Sequence, residues 1–132
     1  MNAESIFRNI WKNNDLLHAK IPVSRITTGI SAHDETPHGV ILETQNFLKY
    51  PSNAGIRQKI SLLKIVFHAR GRAELDTLAE AMDATLFGVT HAIRWDSADA
   101  NIHFRRTRRS FSCSRHDLWI MEMEVELTAD FT

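Results

Sequence analysis

Apolar and polar residues alternate most regularly near the end of the chain, where Trp119, Met121, Met123, Val125 and Leu127 are separated by Ile120, Glu122, Glu124 and Glu126. A period of two predicts a strand that buries one face. The run before it holds Arg105, Arg106, Arg108, Arg109 and Arg115, with Ile102, Phe104 and Phe111 among them. Together they predict a hairpin over Asn101–Phe131 that turns at Ser114–Asp117. Guanidinium and carboxylate groups can then meet across one sheet face, where opposite charges stabilise pairing. A turn centred between Arg115 and His116 would bring Arg109 near Glu122.

Other segments follow other periods. Residues Asn2–Asn14 predict a short amphipathic helix, with Asn2 as N-cap and Ile6, Phe7, Ile10 and Trp11 at helical spacing. Ala73–Phe87 predicts a second, with Leu75, Leu78, Ala79, Met82 and Leu86 on one face and Asp76, Glu80 and Asp83 on the other. Gly88 follows where a left-handed cap is wanted. The β-branched content of Ile21–Gly29 predicts a strand with Pro22 at its start. Ile30–Pro37 reads as a polar loop, and Gly39–Gln45 as a second strand. Lys59–Ala69 is so continuously apolar that it predicts a central strand covered on both faces. Between these two, Tyr50-Pro51-Ser52-Asn53-Ala54-Gly55 carries the turn chemistry of a protruding loop. Val89–Trp95 reads as a strand and Asp96–Ala100 as a turn.

Strands grouped around two helices, without regular βαβ alternation, predict an α+β fold: a mostly antiparallel sheet with two helices packed on one face. The 132 residues amount to about one domain, residues 1–132. Hydrophobic residues at 43% and charged residues at 24% are the proportions of a globular chain and exclude a disordered composition. Sixteen basic and sixteen acidic residues cancel, so any attraction to nucleic acid must be local. The single cysteine, Cys113, excludes an internal disulfide and fits a reducing compartment. No window approaches the roughly 18 apolar residues of a membrane helix, so no membrane partner is expected.

Candidate chemistry is sparse. His33-Asp34-Glu35-Thr36-Pro37-His38 concentrates two histidines and two carboxylates, yet it has neither HExxH-like spacing nor ligands from several rigid elements, and it reads as a solvated loop. The other histidines are scattered. Cys113, His116 and Asp117 share one turn, and closeness along a turn is poor ground for a nucleophile-base pair. The five glycines are dispersed near element boundaries, and none forms a phosphate loop. Neither a catalytic residue, a metal nor a cofactor is therefore expected. The arginines remain, because guanidinium binds phosphate and stacks on bases. Phe104 and Phe111 would supply a basic-aromatic surface, although no RNP-like, zinc-finger or helix-turn-helix signature accompanies them. Structural pairing of these arginines is the first expectation, nucleic-acid contact the second and a subunit interface the third.

The order of a short N-terminal helix, Ile21-Pro22-Val23, strands to Ala69, a helix from Glu74 to Phe87 and a last hairpin ending Glu124-Val125-Glu126-Leu127 resembles phage tail-completion, or tail-terminator, proteins. The passage from Ile60 through Ala69 into Arg72-Ala73-Glu74-Leu75-Asp76-Thr77-Leu78 is the most reminiscent part. The resemblance spans nearly the whole chain and implies a non-enzymatic virion or prophage component. Such a protein would cap the tail tube as a homo-oligomeric ring, commonly a hexamer, between tail-tube and neck proteins, with DNA only as passing cargo. It would be found in the host cytoplasm during assembly and then in the virion tail. Under this resemblance Arg105, Arg106, Arg108 and Arg109 become interface or lumen residues, and Tyr50, Pro51 and Asn53 a contact to a neighbour or the tube. A small nucleic-acid-binding or regulatory domain using the basic hairpin is the alternative, and a hydrolase using the His33–His38 loop comes after it.

Overall fold

Asn2 opens the first helix, α1 (Ala3–Lys12), by accepting the Ser5 N–H on Oδ1 at 2.8 Å, which satisfies one of the otherwise unpartnered first-turn donors. Glu4 in the first turn and Lys12 in the last complement the helix dipole. Ile6, Phe7, Ile10 and Trp11 are all buried, as their spacing predicts. The computed structural model describes residues 2–29, 36–49, 57–114 and 118–131.

The strand expected over Ile21–Gly29 is largely replaced by turns. A second helix, α2 (Asp15–Lys20), is capped by Asn14 Oδ1, which accepts the Leu17 N–H at 3.1 Å. Ile21 closes that helix, and Pro22 leads into a 3₁₀ turn at Val23–Arg25. Only β1 (Ile26–Thr28) of this segment joins the sheet as a strand. Two contacts account for this override of β-branched preference. The Trp11 indole N–H donates to the Ile21 carbonyl at 2.8 Å, and the Val23 N–H donates to His18 Nδ1 at 3.1 Å.

The remaining elements are β2 (His38–Lys49), β3 (Arg57–Ala69), α3 (Arg72–Thr85), β4 (Thr90–Trp95), β5 (Ala98–Cys113) and β6 (Trp119–Phe131). They form one sheet in the order β1-β2-β3-β6-β5-β4. Every pair is antiparallel except β1 with β2, so the sheet is mixed. The molecule is predominantly β with a helical layer of three α-helices among the described residues, where the sequence predicts two. Asp96 and Ser97 both take positive φ, the conformation of a two-residue hairpin turn, and join β4 to β5. Gly88 does have positive φ, +73°, but it lies in the turn beyond the helix end: α3 is capped by Leu86, whose N–H donates to the Met82 carbonyl.

The helices pack on the sheet face that carries Ile41, Phe67, Met121, Val125 and Phe104, and these side chains share one core with Trp11 and Met82. β3 is central, as expected, but it is not covered on both sides. Ser61, Leu63, Ile65, Phe67 and Ala69 are buried, whereas Ile60, Leu62 and Val66 are only half-buried and Lys64 is exposed on the opposite face. The continuous apolar run therefore supplies both a core and a partly exposed apolar strip. No helix among the described residues is long and apolar enough to cross a membrane.

Candidate functional site

The arginine hairpin is built by the register of β5 on β6. Arg105 lies opposite Glu126 and Arg108 opposite Glu124, but a bulge between Arg106 and Arg108 leaves Thr107 outside the ladder. An extra residue shifts which face each following side chain occupies. The Thr107 hydroxyl donates to the Glu124 carbonyl at 3.2 Å and so anchors the bulge. Arg105 and Arg108 thereby share the open, helix-free face, while Arg106 and Arg109 fall on the helical side.

On the open face Arg105 Nη2 reaches Glu126 Oε2 at 2.9 Å and Arg108 Nη1 lies 4.0 Å from Glu124 Oε1. The cross-strand pairing expected from sequence is thus formed by these two arginines. Glu122 is taken by Lys64 of β3, at 2.9 Å. Arg109 does not meet Glu122. Its ladder partner is Met123, and its guanidinium crosses to α3, where it donates to both oxygens of Asp83 at 2.9 and 3.1 Å. The Arg109 side chain is only 10% exposed. Its hydrogen bonds hold the Asp83 carboxyl below the usual range against a smaller opposing effect of burial, with help from the positive charges of Arg109 and Arg106.

Arg109 therefore fastens α3 to the hairpin. Charge reversal at Arg109 is expected to lower stability by about 1.5–3 kcal/mol, the range for hydrogen bonds to charged groups. Reversal at Arg108 is expected to cost only ~0.2–1 kcal/mol, as for exposed pairs. Urea unfolding of Arg109→Glu, Arg108→Glu and Arg109→Glu/Asp83→Arg checks this, since the double reversal should recover part of the loss. Equal effects of the two single variants would sink the assignment.

The aromatic residues beside the arginines are already engaged. Phe104 is buried edge-to-face against Phe7, with centroids 5.6 Å apart. Phe111 is covered by the Arg72 guanidinium of α3, 3.8 Å above its ring, and the same group lies 5.6 Å from Trp119. Of the two rings that the sequence sets beside the arginines, Phe104 is therefore withdrawn into the core, while Phe111 is half-buried under Arg72.

Two of the scattered histidines are brought together by register. His38 is the first residue of β2, opposite His68 of β3, and their rings stack with centroids 4.5 Å apart and planes at 13°. Nothing in their spacing of thirty positions signals this pair. Burial, and then the neighbouring His38, lower the His68 pKa from its usual 6.5, and its buried Nδ1 has no hydrogen-bond partner among the described residues. A lowered histidine pKa means that the unfolded chain binds the proton more readily, so this contribution to stability is complete above about pH 6.5 and is lost as pH falls below it. Unfolding free energy is expected to drop between pH 7.5 and 5.5, with a shallower drop in His68→Gln. An equal slope in both proteins would remove His68 as the cause.

His33, Asp34 and Glu35 lie outside the described residues, as do Tyr50, Pro51 and Asn53, and also His116 and Asp117. Cys113 is exposed. No group of three or more metal-ligating side chains occurs among the described residues.

A chain from the virion of the native gene transfer agent (GTA) particle shares this fold. The two superpose with a TM-score of 0.59 over 97% of this chain and 94% of the GTA chain, at 9% sequence identity. With so little of either chain left over, the likeness to the GTA chain takes in the arginine hairpin as well as the helical layer. At that identity it is a likeness of fold alone. The chain matches no protein-family model and no curated protein.

Proposed function

We propose that this chain is a non-enzymatic structural protein of a phage-like virion, of the tail-completion kind, that works as a homo-oligomeric ring. The observation that carries the reading is the fold shared along almost the full length of both chains with a component of the GTA virion. The use made of the polar side chains supports it. On the open face Arg105 and Arg108 are paired with Glu126 and Glu124, while on the helical side Arg109 is bound to Asp83 and Phe104 and Phe111 are packed, which leaves a mixed-charge open face rather than a phosphate-binding cluster. Such a face suits a passage through which DNA moves without being held. Tail-tube and neck proteins are the partners in this reading. The chain assembles in the host cytoplasm and remains in the virion tail.

Native mass spectrometry over a concentration series, with negative-stain microscopy, tests the proposal. Closed oligomers of one size are the expected result, and a chain that stays monomeric throughout overturns it. Titration with duplex DNA at two salt concentrations separates the alternative. Tight binding that weakens steeply with salt would favour a nucleic-acid-binding domain.

A further inference from the structure

The two ends of the sheet differ in how they are finished. β1 pairs with β2 only at Gly39–Ile41, and the Gly29 N–H adds a bond to the Ile41 carbonyl at 2.9 Å. The next donor on that edge, the half-buried Glu43 N–H, is capped by Glu4 Oε1 of α1 at 2.9 Å. A bulge between Glu43 and Gln45 follows. From Thr44 to Lys49 the edge of β2 has no backbone partner among the described residues beyond its ladder with β3. At the far end, β4 is paired only with β5 among the described residues. Edge strands are normally blunted by lysine, proline or a bulge. Thr44-Gln45-Asn46-Phe47-Leu48 and Thr90-His91-Ala92-Ile93 hold no lysine, arginine, carboxylate or proline; the charged residues of these edges, Lys49 and Arg94, come only after those uncharged stretches.

These edges are also matched in direction. Four antiparallel steps separate β2 from β4, so the two strands run the same way. A rotation about an axis along the strands preserves that direction and sets β4 of one copy parallel to β2 of the next. Repeating the step propagates one contact around a ring, whereas a two-fold pairing of β4 with itself would be antiparallel and stop at two copies.

Beside β4, on the helical side, lies a groove of about 460 Å³ lined in part by Asn9, Ile10, Asn13, Val89 and Ile93. Asn46 stands opposite the buried Ser61 and projects to that same side, while Phe47, opposite Ile60 and 49% exposed, projects to the open face. An incoming β2 would place Asn46 toward the groove and its amides, and Phe47 beside Ala92.

We propose that a second copy of this chain docks here: Thr44–Lys49 of one copy adds as a parallel strand to β4 of its neighbour, and the sheet continues from subunit to subunit. The inference rests on the ring reading above and names its interface. Paired cysteines on a Cys113→Ser background test it, in the two double variants Gln45→Cys/Ala92→Cys and Phe47→Cys/Ala92→Cys, each with its single variants. A disulfide requires Cα atoms about 4.4–6.8 Å apart, which neighbouring strands satisfy. Oxidation is expected to give a covalent ladder up to the ring size in at least one double variant. Ala92→Lys, at an exposed position, is expected to raise the concentration needed for assembly at least about tenfold, a loss of 1.4 kcal/mol, without moving the monomer's melting temperature. Rings that persist without any ladder and tolerate Ala92→Lys overturn this interface while leaving the ring reading in place. Dimers cross-linked through Ala92→Cys alone overturn it in favour of a two-fold contact. Absence of oligomers from the parent protein overturns both readings.

Discussion

Trp11→Ala is expected to lower the unfolding free energy by about 3–5 kcal/mol, a large share of the 5–15 kcal/mol that typically holds a domain together. Trp11 is fully buried, its ring stacks on Phe67 at 5.4 Å and tilts against Phe7 at 5.7 Å, and its indole N–H satisfies the Ile21 carbonyl. Removing it opens a cavity between α1 and the sheet and also releases the turn that ends α2. Trp11→Phe separates the two effects, because it keeps most of the packing and leaves the buried carbonyl without its donor, at about 1–3 kcal/mol. Urea denaturation of the three proteins is the measurement. A loss below 1 kcal/mol in Trp11→Ala would mean that α1 does not pack as described.

Gly39→Ala is the second large effect, expected at about 1–3 kcal/mol, the cost of overpacking a tight core. A Cβ on Gly39 would lie 2.7 and 2.8 Å from two ring atoms of Phe67. The ring has little freedom to yield, since Trp11 is stacked on it. Phe67→Leu should itself destabilise but should remove most of the penalty for Gly39→Ala, so the double variant will depart from additivity. Thermal melts of the four proteins in the cycle decide it. Strict additivity would show that the ring is not what excludes a side chain at Gly39.

These two residues illustrate different degrees of legibility. The burial of Trp11 follows from the helical spacing of Ile6, Phe7, Ile10 and Trp11, which is a property of the chain itself. Its hydrogen bond to Ile21 does not, and that bond helps turn a predicted strand into the end of α2 and a 3₁₀ turn. Gly39 reads in sequence as punctuation at a strand boundary. Its role in the structure is steric, because the strand register brings it against an aromatic ring from a distant segment.

The same division runs through the hairpin. Alternation alone determined that Met121, Met123, Val125 and Leu127 would be buried and the intervening glutamates turned outward, just as Asn2 determined a helix start and the Leu75–Met82 stripe a second helix. Periodicity and capping act over one to four residues, so a single chain displays them. Tertiary structure decided the rest. One unpaired residue, Thr107, sorted four neighbouring arginines onto two faces, Asp83 of α3 claimed Arg109, and register stacked His38 on His68. Placement of all the helices on one side left β3 half-covered despite its continuous apolar run. A one-residue shift reverses every side chain beyond it, and the shift is stabilised by contacts far away in the chain, so no local pattern records it.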